Sequence, residues 1–373
     1  MLQSHFFIPK VRRFTGRKQK EELYMKKVKV GILGATGMVG QRFIQLLEGH
    51  PWFQIAELAA SERSAGKNYE DSVADRWKLE TLIPESIKGL PVKECKPGLD
   101  CRIVFSALDA DVAGPIEEEF ARAGYVVSSN SRNHRMDSDV PLLVPEVNKS
   151  HLAAVALQKK KYGNNGYIVT NPNCSTIGLV MGIAPLHQKF TIKKIMVTTM
   201  QALSGAGYPG VASLDILDNV VPFIGGEEGK MESEPLKILG TLEKDAFKSA
   251  AIKVSASCNR VNVKDGHLEC VSVELEKKPS LQEIIAAWEA YNPLRDYKLP
   301  FSPAVPIVYL KNEKRPQPRF DRDTGRGMAC CVGRLRECAV LGYKFVLLSH
   351  NTIRGAAGAA ILNAELLSVK GLL

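Results

Sequence analysis

The chain predicts an α/β protein: a doubly wound parallel sheet, followed by an α+β domain whose sheet is mixed. Three observations carry that expectation. A β-rich run, a glycine loop and a helical stretch succeed one another over residues 28–47. Short apolar runs then alternate with helix-like segments to about residue 170, the pattern of β–α units feeding a parallel sheet. After Cys174 the texture changes, and residues 194–202, 251–263 and 268–277 become rich in Val, Thr and alternating apolar positions. A length of 373 residues accommodates two such domains.

The first strand is Val28-Lys29-Val30-Gly31-Ile32-Leu33. The loop Gly34-Ala35-Thr36-Gly37-Met38-Val39-Gly40 follows, then Gln41–Leu47 at helical spacing. Strand, glycine loop and helix form the context of a Rossmann-type dinucleotide site, where backbone meets pyrophosphate at a helix N-terminus. The glycines fall as GxxGxxG rather than GxGxxG, so a plain β–α turn stays open. A second strand, Ile55–Ala60, ends in Ser61-Glu62-Arg63-Ser64. Arg63 between two hydroxyls suits the 2′-phosphate of NADP, whereas Glu62 suits the ribose of NAD. NADP is the expectation.

Residues 102–108 and 125–130 read as further strands, with a helix over 115–123 between them. Tyr167-Ile168-Val169 is a strand leading into Asn171-Pro172-Asn173-Cys174-Ser175-Thr176, and the apolar run 177–183 reads as a buried helix. Residues 355–367 form a small-residue helix suited to close packing on the nucleotide domain. Arg315-Pro316-Gln317-Pro318 is a local rigid loop. The expected division is a disordered extension over 1–24, a nucleotide domain from 25–173 with 349–373, and a second domain over 174–348.

Composition narrows the function classes. With 45% hydrophobic and 24% charged residues the chain is that of an ordinary globular protein. No apolar run approaches the ~18 residues of a membrane span, and no secretory h-region is expected. Eight cysteines lie without ligand spacing, so neither a disulfide framework nor a metal site is expected. The net charge of +10 is concentrated at the start: eight Lys and Arg against two Glu over residues 1–27 leave +4 for the rest. That distribution argues against a nucleic-acid surface. A cytoplasmic setting fits.

Two motifs carry chemistry. Cys174 stands where a strand turns into a helix, so free backbone N–H groups and the helix dipole are expected to favour its thiolate. The alternative is a small buried hydrophobe. Arg260-Val261-Asn262-Val263-Lys264-Asp265-Gly266-His267 presents a histidine after a glycine turn, suited to proton exchange near neutrality or to a structural role. The clusters 132–137 and 227–230 read as anion sites or as solvated surface. The glycine-rich loop 201–210 lets backbone approach a ligand, or simply connects elements.

Together these segments resemble the aspartate-β-semialdehyde dehydrogenase family from about residue 27 to the C-terminus. The forms GATGMVGQRF, SNSRNHRMDSDVPLLVPEVN, NPNCST, QALSGAGYPG, GEEGKMESEP, RVNVKDGH and SHNTIRGAAGAA are especially similar to its archaeal and fungal branch. The resemblance implies Cys174 as nucleophile, His267 as general acid/base, and Asn173 and Gln201 as residues that orient the acyl group. It implies Arg260 and Glu227 at the substrate's carboxylate and amino group, and Arg135 and Lys230 at its phosphate. For NADP(H) it implies Gly34, Thr36, Gly37, Met38, Val39, Ser61, Arg63, Ser64, Ser204, Gly205 and Asn351, with no metal.

The implied reaction is the NADPH-dependent reductive dephosphorylation of 4-aspartyl phosphate to aspartate 4-semialdehyde through a Cys174 thioester, a step in the biosynthesis of lysine, methionine, threonine and isoleucine. The second domain is then the catalytic and dimerisation domain of a homodimer or homotetramer. An acyl-CoA reductase such as malonyl-CoA reductase would keep the cysteine, histidine and NADP without needing the phosphate pocket. A catalytically dead homologue would have lost one of these groups, and all are present.

Overall fold

The computed structural model describes residues 27–373, so the extension expected over 1–24 lies outside the described residues. The first sheet is wholly parallel. Its strands are β1 (Val28–Leu33), β2 (Phe53–Ala60), β3 (Val92–Glu94), β4 (Ile103–Ser106), β5 (Val126–Ser129) and β6 (Tyr167–Thr170), in the order β3-β2-β1-β4-β5-β6. β4, β5 and β6 are buried throughout, as strands covered on both faces must be. The strand order reverses between β1 and β4, and in such sheets the crevice beyond the carboxyl ends at that point receives ligands.

Five helices position the site: α1 (Met38–Leu47), α2 (Ala110–Arg122), α3 (Cys174–Phe190), α4 (Glu227–Ile238) and α5 (Gly358–Val369). α2 begins five residues before the expected 115–123. Pro115 sits inside it on the exposed side, where water can satisfy the carbonyl that loses its amide partner. α5 begins at Gly358, not at residue 355, because Ile353–Ala357 form a π-turn. Its residues 358–367 are all buried, and Ala360, Ile361 and Leu362 join Val30, Ile32, Phe43 and Ile44 in one core. The expected close packing of this helix on the parallel sheet is therefore present.

The second sheet is mixed. β7 (Ile192–Gln201), β10 (Lys253–Arg260), β11 (His267–Leu275), β12 (Ile307–Leu310), β13 (Cys330–Cys338) and β14 (Gly342–Ser349) run in the order β10-β7-β11-β14-β13-β12; the numbers β8 and β9 belong to a small hairpin, Thr241–Glu243 with Ala246–Lys248. β10/β7 and β12/β13 are parallel; the other pairs are antiparallel. One face packs on α3, with Ile177, Val180, Met181 and Ile183 against Val197, Val271, Phe345 and Leu347. Each such fully buried side chain contributes about 1.5–3 kcal/mol. The other face of β7 carries Lys194, Met196 and Thr198 in the open, and Cys270 of β11 lies beside them.

Candidate active site

β1, β4, β5 and β6 end on one edge of the parallel sheet. Their following residues therefore converge: Gly34 after β1, Leu108 after β4, Asn130 after β5 and Cys174 after β6. A cleft of about 600 Å³ opens there, lined by Met38, Val39, Leu108, Asn130, Arg135, Cys174, Ser204, Gly205, Glu227, Lys230 and Asn351 among others.

Cys174 opens α3 as the sequence predicts. Asn173 caps the helix, its Oδ1 accepting the N–H groups of Ser175 at 2.9 Å and Thr176 at 3.3 Å. His267 opens β11, and its Nε2 lies 3.1 Å from the Cys174 sulfur. The Ala202 N–H donates to the other ring nitrogen, Nδ1, at 3.0 Å. The neutral ring therefore holds its proton on Nε2, directed at the sulfur. Gly205 backs directly onto His267 and Arg260. Gly266, before the histidine, donates to Asn351 Oδ1, and Asn351 donates to Ser204 Oγ, so the two loops are tied to each other.

The remaining predicted residues form one network around this pair. Glu227 accepts from Asn173 Nδ2 at 2.8 Å, from Gln201 Nε2 at 3.2 Å and from Lys230 at 2.6 Å. Gln201 also donates to Ser175 Oγ. Arg260 donates to the Ala202 carbonyl at 2.7 Å. Arg135 pairs with Glu234 at 2.9 Å and donates to the Asn130 carbonyl. Cys174, His267, Asn173, Gln201, Arg135, Glu227, Lys230 and Arg260 are thus brought together.

The electrostatics correct one expectation. Although the cysteine opens onto the cleft, its surroundings are dense, and burial pushes the thiol up to about 12. Glu227 adds to the rise, and Arg135, Arg260 and Lys230 only partly offset it. His267 is pushed down to about 3 by burial, with Arg260 next. A second ring N–H would also face that of Ala202. Burial thus pushes the thiol and the imidazole each toward its neutral form, against the thiolate expected from the helix terminus. Desolvation outweighs the dipole at this depth. A raised thiol keeps gaining thiolate as pH rises, so alkylation of Cys174 by iodoacetamide, followed on its peptide by mass spectrometry, is expected to accelerate from about pH 7 to about pH 10. A rate already level near neutrality would contradict this.

A dinucleotide fits the cleft on structural grounds. Gly34 has φ +75°, and a Cβ there would stand 2.6 Å from the Ala107 carbonyl oxygen. The N-terminus of α1 has Gly37 as its cap residue and no side-chain cap, which leaves first-turn N–H groups for an anion beside Met38 and Val39. Gly34, Thr36 and Gly37 lie in this turn. Ser61, Arg63 and Ser64 follow β2 and do not line the cleft itself. Ser61 and Arg63 are exposed, and Ser64 is buried with its carbonyl accepting from Ser72.

Four contributors are not among the predicted site residues. Glu234 and Lys237 continue the face of α4 that carries Glu227 and Lys230, a helical repeat visible only once a helix is placed there. Gly355 touches Cys174 from the π-turn: a Cβ at 355 would be 2.7 Å from that of Cys174. Arg354 beside it is fully buried in a bidentate pair with Glu146 at 2.7 and 2.8 Å.

Residues 29–155 match the family "Semialdehyde dehydrogenase, NAD binding domain", and residues 183–354 match "Semialdehyde dehydrogenase, dimerisation domain". The aspartate-semialdehyde dehydrogenase of Archaeoglobus fulgidus is 52% identical over 339 residues, covering 91% of this chain and 97% of that one. The crystal structure of the Candida albicans aspartate semialdehyde dehydrogenase with NADP superposes with a TM-score of 0.86 at 46% identity, covering 93% of this chain and all of that one. Aspartate semialdehyde dehydrogenase II of Vibrio cholerae, complexed with ASA, gives 0.72 at 28% identity over 92% of this chain and 98% of that one.

Proposed function

From the premise that the chain belongs to the aspartate-semialdehyde dehydrogenase family, we infer that it reduces 4-aspartyl phosphate to aspartate 4-semialdehyde with NADPH, and runs the reverse reaction with phosphate and NADP. The observation that carries this reading is the Cys174 sulfur 3.1 Å from His267 Nε2, in a cleft that Arg135 and Lys230 share with the glycine turn.

We propose the following roles. Cys174 Sγ forms a bond to the β-acyl carbon as the bond from that carbon to the phosphate oxygen breaks; the thiol proton goes to the departing phosphate, which leaves toward Arg135 and Lys230. A thioester is a better hydride acceptor than a carboxylate derivative held by oxygen, and it divides one difficult displacement into two steps. His267 acts at Nε2, whose N–H bonds first the sulfur and then the oxygen that gains charge at the acyl carbon; when that oxygen's charge collapses to the aldehyde and the sulfur leaves, the sulfur takes a proton from Nε2, which water replaces. Asn173 and Gln201, both fixed by Glu227, orient the acyl group. Arg260 and Glu227 face the carboxylate and amino group of the aspartyl moiety. Bound NADPH supplies the hydride that takes the thioester to the aldehyde. The uncapped turn at Met38 and Val39 would hold its pyrophosphate, and Arg63, with Ser61 and Ser64, its 2′-phosphate; Asn351, Ser204 and Gly205 would border the nicotinamide end.

The proposed division of labour assigns residues 25–173 with 349–373 to NADP, and 174–348 to catalysis and self-association. The open face of β7 and β11, with Met196 exposed, supports association with further copies as a homodimer or homotetramer. Among the described residues no helix is long and apolar enough to cross a membrane, and a cytoplasmic site of action is proposed.

The rival reading is a malonyl-CoA reductase. Arg135 and Lys230 disfavour it, because a thioester substrate releases no phosphate for them to hold. Phosphate-dependent NADP reduction with aspartate semialdehyde is expected, and NADPH oxidation with malonyl-CoA is not. Turnover of malonyl-CoA alone would reverse the choice.

A further inference from the structure

We propose that Glu234 is a positioning residue whose single carboxylate sets both the phosphate-holding arginine and the start of the nucleophile's helix. It deepens the reading above, since it rests on Arg135 holding phosphate.

Glu234 is 2% exposed, in the interior face of α4. Its Oε1 pairs with Arg135 Nη1 at 2.9 Å, and its Oε2 accepts the backbone N–H of Asn173 at 2.7 Å. Asn173 caps α3 immediately before Cys174. The same residue is held a second time from α4, where Glu227 accepts from its side-chain amide at 2.8 Å. One turn beyond Glu234, Lys237 donates to the carbonyls of Arg135, Asp137 and Val140 at 2.7, 2.7 and 2.8 Å. α4 therefore grips Arg135 by both its backbone and its guanidinium, and grips the helix cap by both its N–H groups.

A guanidinium carries five N–H donors in a fixed fork. Glu234 and the Asn130 carbonyl take two of them, which fixes the plane of the group and leaves donors for a phosphate in the cleft. Any pull on Arg135 is felt by the carboxylate that also fixes Asn173, so the anion site and the sulfur keep one spacing. Glu234→Gln preserves volume but removes the charge and turns one acceptor into a donor, which must face either Arg135 or the Asn173 N–H.

The test is steady-state kinetics of the phosphorylating direction with aspartate semialdehyde, NADP and inorganic phosphate, beside a thermal melt. For Glu234→Gln the KM for phosphate is expected to rise tenfold or more and kcat to fall at least fivefold, while the KM for NADP stays within twofold. Combined with Arg135→Lys, the rise in phosphate KM should fall well short of the product of the two single effects. Glu234→Asp, which keeps the charge but is one methylene shorter, should lie between wild type and Glu234→Gln, and serves if the latter does not fold. An unchanged phosphate KM, or equal rises for phosphate and NADP, would overturn the proposal while leaving the activity in place. Wild-type protein that ignores phosphate would instead remove the functional reading, and this one with it.

Discussion

Cys174→Ser is expected to abolish turnover, with a loss of roughly four orders of magnitude or more, while NADP affinity stays within about twofold. The hydroxyl that replaces the thiol is a far weaker acid, and burial already pushes the thiol it replaces up to about 12. Nothing in the ring of charges around it, Arg135, Lys230 and Arg260 against Glu227, would generate an alkoxide. The fold should not change, because oxygen for sulfur leaves the Asn173 cap and the apolar face of α3 intact. Rates with aspartate semialdehyde and phosphate, set beside NADP binding by fluorescence titration, check both halves. A serine variant that keeps more than a few per cent of the rate would mean that turnover does not depend on a thioester at residue 174.

Gly355→Ala should be the next most damaging single change, although residue 355 has no side chain to take part in the chemistry. Its methyl group would stand 2.7 Å from Cys174 Cβ and 3.0 Å from Cys174 Cα, closer than real carbons approach. The π-turn cannot yield easily. Arg354 is locked to Glu146 in a fully buried bidentate pair, Asn171 holds the Ala356 carbonyl at 2.9 Å, and the Gly355 N–H donates to His350 O. The strain therefore falls on Cys174. A displacement of about 1 Å at a reacting atom costs on the order of 10²-fold in rate, and overpacking of a buried contact costs about 1–3 kcal/mol. Both are measurable, as kcat and as a shift in Tm. A kcat within threefold of wild type would show that the turn relaxes away from the nucleophile.

The parts of the site carried by local patterns are legible in the amino-acid sequence itself. The glycine turn after β1, the cap–cysteine step at Asn173-Cys174 and the glycine–histidine step at 266–267 each occupy a few consecutive residues, and strand-end geometry brings them to one edge. Ser61, Arg63 and Ser64 stand where a strand-end reading puts them, yet outside the cleft wall. What the sequence hides depends on pairing across long separations. Glu234 meets Arg135 from 99 residues away, and Arg354 meets Glu146 from 208. The charge state of Cys174 is hidden for the same reason: a helix terminus is visible in sequence, but the depth at which it is buried is not. The start of α2 is obscured because Pro115 looks like a beginning, and only its exposed position explains how the helix passes through it.

A thiol that burial raises offers less of its ionised form between turnovers. Peroxides and other electrophilic oxidants react with the ionised group, and the first product, a sulfenic acid, leads on to states that are not readily repaired. Burial of Cys174 thus works against oxidation as well as against chance alkylation.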